Sequence, residues 1–192
     1  ENETLKAKLA EARKAKRESH LQAALRLADS AAQAGKWEAA VASLNEVLAN
    51  EPDNAEFQQK LAEVRAQEHV SQWNAAQTQS ESLREAEQFE QALQTWQDYL
   101  SLHPEDRERV EEEIKQVTQE QELRDFYAKA ETAIAARDFD GAIRPLKEII
   151  IRDENYKDAS RLLTKAIESR RTGTTQKIDK PRKKPAPIQK VR

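Results

Sequence analysis

The chain has 192 residues, 38% hydrophobic and 35% charged, with three Gly, six Pro, no Cys and no Met. This excludes thiolate metal sites; no run of about 18 apolar residues and no apolar leader is visible, so neither a helical membrane span nor a secretory signal is expected. The formal charge of −3 divides unevenly: residues 170–192 carry nine Lys or Arg against one Asp, which leaves about −11 on the acidic body before them.

Much of the hydrophobic share is Ala, which favours thin helix-on-helix layers over a deep interior. Nothing breaks a helix over 2–34, where Leu5, Leu9, Ala12, Leu21, Ala24, Leu25, Ala28, Ala31 and Ala32 recur at spacings of three and four. Residues 2–19 hold only two Leu among many charges, so this part is marginal alone and calls for a partner surface or an upstream continuation. The start at Glu1 and the absence of Met predict a piece of a longer protein or a processed form.

Gly35 is the expected terminator of the first helix. Trp37, Ala40, Val41, Leu44, Val47 and Leu48 then form one helical stripe, which Pro52 stops, and Asp53 with Glu56 is the expected capping box of the next helix. Residues 55–87 lack Gly and Pro and predict a long helix of roughly 50 Å. Phe89, Ala92, Leu93, Trp96, Tyr99 and Leu100 repeat the stripe 52 residues on, before Pro104. Residues 106–137 repeat the long helix. Phe139, Ala142, Ile143, Leu146, Ile149 and Ile150 repeat the stripe after another 50 residues, with Pro145 expected to kink it. A last helix is expected over 153–170. Three copies of a long-helix, short-helix unit predict an all-α, elongated α-solenoid with a terminal helix and a disordered basic tail. Its parts are a charged extension (1–20), a repeat domain (21–170) and the tail (171–192).

These residues resemble tetratricopeptide repeats. In the window 21–54, Leu27, Ala28, Gly35, Trp37, Ala40, Leu44, Val47 and Pro52 follow that family's pattern. Window 73–106 matches at Phe89, Ala92, Trp96 and Pro104, with Ser80 where Gly or Ala is usual. Window 123–156 matches at Phe126, Ala130, Phe139, Ala142 and Leu146, with Glu154 in place of the terminal Pro. A period of 50 to 52 departs from the family's 34 and adds a helical segment to each unit.

The resemblance implies protein recognition by the first helix of each pair. Carried over by position, the groove residues are Gln22, Leu25, Asp29 and Gln33; Asn74, Gln77, Glu81 and Arg84; and Arg124, Tyr127, Glu131 and Ile134. Asp29, Glu81 and Glu131 share one groove position, so a basic or neutral protein segment fits better than an acidic one. Ordinary solvated or packing roles are the alternative for all twelve.

No catalytic, cofactor or metal constellation is legible. His20, His69 and His103 lie 49 and 34 residues apart with no i, i+4 partner. Glu111, Glu112 and Glu113 read as a solvated helix face, and the isolated Gly35, Gly141 and Gly173 build no phosphate loop. The expectation is therefore a non-enzymatic scaffold or spacer, soluble and cytoplasmic. Trp37, Trp73, Phe89, Trp96, Phe126 and Phe139 read as core, with Trp73 the candidate for a partly exposed partner anchor. Two alternatives stand beside the scaffold: a coiled-coil stalk pairing residues 2–20 of two copies, and nucleic-acid or anionic-surface binding by Lys180, Arg182, Lys183 and Lys184. The bland reading of the tail is a linker.

Overall fold

A left-handed corner ends each long helix, and the three corners share one geometry. Gly35, Glu87 and Arg137 take φ of 68, 56 and 58°. The next residue bonds back to the carbonyl five positions earlier: Lys36 N to Ala31 O, Gln88 N to Leu83 O and Asp138 N to Ala133 O, each 2.8 Å. The corner residue itself donates to the carbonyl three positions earlier, at 2.9–3.0 Å. This is the Schellman arrangement, which satisfies the last carbonyls of a helix and turns the chain.

The computed structural model describes the backbone of residues 2–178 and side chains through residue 172. Among these residues the chain is all-α: α1 (Asn2–Gln33), α2 (Trp37–Asn50), α3 (Ala55–Glu85), α4 (Phe89–Leu102), a 3-10 turn (Pro104–Asp106), α5 (Arg107–Ala135), α6 (Phe139–Arg152) and α7 (Ala159–Ile178). None is long and apolar enough to cross a membrane. The basic cluster Lys180, Arg182, Lys183 and Lys184 lies outside the described residues.

Two compact units divide the chain. The first comprises Glu1–Ser82 and Gln97–His103, the second Leu83–Trp96 and Pro104–Arg192. In the first, Ala28, Ala40, Leu44, Phe57 and Val64 form a buried seam, and Leu21, Leu25, Trp37, Val41, Leu48 and Leu61 pack against it. Small Ala28 and Ala40 let α1 and α2 approach closely, and Ser43 Oγ donates to Ala24 O across them (3.1 Å). In the second unit, Ala130, Ala142, Leu146 and Ile149 are fully buried beside Ala159 and Ala166 of α7. The stripe positions read from sequence thus face inward as expected.

Four expectations need correction. The cap of α3 is Asn54, whose Oδ1 accepts from Phe57 N (3.4 Å) and whose amide donates to Glu51 Oε2 (3.0 Å), in place of Asp53. Asp153 does not open the last helix. Its Oδ1 accepts from Asn155 N (2.9 Å), and Lys157 at φ 44° sets the turn before Ala159. At the other end, α7 runs to Ile178, so 171–178, expected to belong to the disordered tail, is helical. Each added residue contributes a bond at little nucleation cost, and Thr172 Oγ1 donates to the carbonyls of Glu168 and Ser169 (3.2 and 3.1 Å). Trp73 is 4% exposed and is no surface anchor.

The helix α6 continues through Pro145, which has no N–H for the carbonyl of Gly141. Its start is fixed by Asp138, whose Oδ1 accepts from Gly141 N at 2.9 Å. Residues 2–20 of α1 are exposed throughout, as their composition led one to expect. Their tie to the body is Arg17, which donates through Nε and Nη2 to the two oxygens of Glu51 (2.5 and 2.6 Å).

Candidate functional site

In the first unit, a long-helix corner and the middle of the following long helix leave an open groove of about 670 Å³. Ala32, Gln33 and Gly35 supply one wall with Trp37, and Ala66, Gln67, Val70, Ser71 and Asn74 of α3 supply the other. The floor is apolar, Val70 being 56% exposed. The rim is made of amides and a hydroxyl, and none of the nine lining residues is ionisable. Gln33 and Asn74, assigned to two different repeats from sequence, therefore meet at one groove.

Leu25 and Asp29 line a second recess of about 290 Å³ with Glu56, Gln59, Lys60 and Glu63. Lys60 Nζ lies 2.6 Å from Asp29 Oδ1 and 3.7 Å from Glu63 Oε2. The bond to Asp29 pushes the ammonium pKa up against partial desolvation. Asp29, Glu56 and Glu63 line the recess against the one ammonium of Lys60, so the recess stays negative. Leu25 itself leans on the buried seam. Gln22 is exposed, and Gln77 donates to Glu81 Oε1 (3.0 Å) four residues on, which spends both on their own helix face.

In the second unit the corresponding positions other than Glu131 are engaged. Arg84 donates through Nε to Glu120 Oε2 (2.8 Å) and through Nη2 to Oε1, and Arg124 lies 5.5 Å over the Phe89 ring. Tyr127 Oη donates to Asp158 Oδ1 at 2.5 Å. That bond, then burial, pushes the phenol up to about 12, and it holds the Asp158 carboxyl below its ordinary range. Lys157 Nζ sits 5.0 Å over Tyr127 and 5.5 Å over Tyr156, and donates to Glu87 Oε1 (3.1 Å). Ile134 packs into the second unit's core, and Glu131 is exposed. Phe126, read as core, is only half-buried, with Arg152 and Lys129 at 5.0 and 5.6 Å over its ring.

Sequence spacing alone could not reveal a histidine pair in the first unit. His69 of α3 and His103 at the end of α4 bring their ring centroids to 4.8 Å, edge to face. His103 Nε2 donates to Gln72 Oε1 (2.5 Å), and His69 Nε2 lies 3.4 Å from Tyr99 Oη. Tyr99 stands 4.7 Å from His103 and meets Trp73 edge-on at 5.3 Å.

Among known families, the model of the tetratricopeptide repeat matches residues 25–68, which cover the end of α1, all of α2 and the first half of α3. No curated protein and no solved structure matches the chain. With that match and the three equivalent corners, the chain is a tetratricopeptide-like helical repeat protein.

Proposed function

We infer that the chain is a non-catalytic protein-interaction module and that the first unit's groove holds a neutral or basic segment of a protein partner. Tetratricopeptide repeats generally mediate protein-protein interaction, and this match spans most of the groove's lining. The observation that carries the reading is the meeting of Gln33 and Asn74 over an apolar floor. Side-chain amides can donate to and accept from an extended backbone, while Trp37, Ala66 and Val70 take apolar side chains. The neighbouring recess around Asp29, Glu56 and Glu63 favours a cation on the same segment and repels an acidic one.

Fluorescence anisotropy with three peptide pools of equal length, apolar-neutral, apolar-basic and apolar-acidic, tests this on the full chain. The neutral and basic pools should bind, and Val70→Glu and Asn74→Ala should weaken binding about tenfold or more, since one lost buried contact is worth about 1–3 kcal/mol. Tightest binding by the acidic pool, or indifference to both substitutions, sinks the proposal.

A second reading rests on Leu5 and Leu9, 67% and 53% exposed on α1. There a second copy pairs along residues 2–20 as a stalk. Sedimentation over a concentration series, with and without residues 1–20, should then show a dimer that truncation abolishes, and a concentration-independent monomer excludes it.

A further inference from the structure

We propose that His69 and His103 are two ligands of a divalent transition-metal site that ties residues 97–103 to α3 within the first unit. The distance between the rings fits this use. A metal about 2.0–2.1 Å from one nitrogen of each imidazole lies about 3.2 Å from each ring centroid, so ligand angles of about 90–109° place the centroids about 4.5–5.2 Å apart. The observed separation is 4.8 Å. His69 lies within α3, and His103 directly follows α4 with its N–H still bonded to Tyr99 O (3.0 Å), so helical backbone holds both residues.

The groups behind the rings have the character of a supporting shell. Gln72 Oε1 is an acceptor only, so the bond from His103 Nε2 places that ring's proton on Nε2 and the lone pair of the neutral imidazole on Nδ1. Tyr99 Oη lies beside His69 Nε2 and can act likewise toward the second ring. The edge-on Trp73 against Tyr99 fixes the tyrosine in turn. Any proton on a ligating nitrogen leaves to solvent as the metal binds, and water completes the coordination. Imidazole ligands without thiolate suit Zn²⁺, Ni²⁺ and Cu²⁺, in a chain that has no Cys. A hard Mg²⁺ or Ca²⁺ site would require oxygen donors.

The chain has three His, which makes the test clean. The full chain is titrated with ZnCl₂, NiCl₂ or CuSO₄, with tryptophan fluorescence as readout, because Trp73 reaches His103 through Tyr99. Cu²⁺ should quench saturably. His69→Ala and His103→Ala should each weaken binding at least about tenfold, the lower end of what loss of even an outer-shell partner costs, while His20→Ala should leave it unchanged. Far-UV circular dichroism confirms that the variants are folded. Electron spin-echo spectroscopy of the Cu²⁺ complex of the unsubstituted chain needs no variant: two coordinated imidazoles support the site, and one or none overturns it. Binding that survives the double substitution His69→Ala/His103→Ala overturns it as well.

Discussion

The three corners permit a test in which the folded contacts scarcely change. Arg137 holds φ 58° with an exposed side chain, in the conformation that Gly35 takes at φ 68°. For a residue with a Cβ, this conformation costs roughly 1–2 kcal/mol. Replacing Arg137 by Gly removes that strain but gives the unfolded chain more freedom, which costs about 0.4–1 kcal/mol. The net expectation for Arg137→Gly is a stabilisation of about 0.5–1 kcal/mol, or about 2–8 °C in the Tm of its unit. The reverse change, Gly35→Ala, places a Cβ where no atom lies within 4 Å, so its cost is backbone strain alone. It should destabilise the first unit by about 1 kcal/mol. Urea unfolding of each variant, with the slope compared to confirm that the unfolded state is unchanged, reads both values. Glu87 is the poorer choice, because its carboxylate also accepts from Lys157. If Arg137→Gly lowers stability, the shared corner geometry does not carry the strain assigned to it and the reasoning fails.

Ser80 is 1% exposed and its Oγ has no hydrogen-bond partner among the described residues, so Ser80→Ala should raise stability by about 1 kcal/mol, whereas Ser43→Ala, which loses the bond to Ala24 O, should lower it by about as much. Chemical denaturation of the two variants side by side decides this, and equal signs would refute it. The Glu51 carboxyl, held down to about 2 by the bonds from Arg17 and then Asn54, should keep its clamp intact across the ordinary carboxylate range and lose it as pH falls through about 2; in Arg17→Gln an NMR titration should move Glu51 up toward that ordinary range. Tyr127 has its phenol raised, so the stabilisation from its bond to Asp158 is present below the ordinary tyrosine range and lost as pH rises through about 12; Asp158→Asn should bring one tyrosinate absorbance step down, and an unchanged titration contradicts that cause.

Helix positions were legible because an apolar stripe at three- and four-residue spacing has one structural solution, and Gly35 marked the first corner by residue type. Glu87 and Arg137 carried no such mark. Their left-handed conformations are imposed by the packing of the helices on either side, not by their own preference. Asp53 and Asn54 are adjacent groups able to cap, and sequence does not say which one the end of α2 presents to Phe57 N. Over 171–178, placed in the disordered tail from sequence, propagation from the preceding turns supplies a helix. His69 within α3 and His103 just after α4 stand 34 residues apart, beyond any local ligand motif.

Equivalent repeat positions have come to serve unequal ends, and the chemistry of their neighbours explains why. On α1 and α3 of the first unit, Gln33 and Asn74 face Ala66, Val70 and Ser71, which offer nothing to neutralise. The amides therefore keep hydrogen-bonding capacity at an apolar surface, which is what recognition of a peptide requires. In the second unit Arg84 faces Glu120, Arg152 faces Glu122 and Tyr127 faces Asp158. Each pair satisfies itself, so a ligand would have to break a charge-assisted bond before making its own. Arg84→Ala should accordingly cost stability, about 1 kcal/mol because Glu120 remains 40% exposed to water, and leave the affinity of the neutral peptide pool unchanged. Asn74→Ala should do the opposite, losing affinity with little change in the unfolding midpoint. Loss of affinity in Arg84→Ala at full stability would show that recognition extends into the second unit, and would overturn its assignment to the first groove alone.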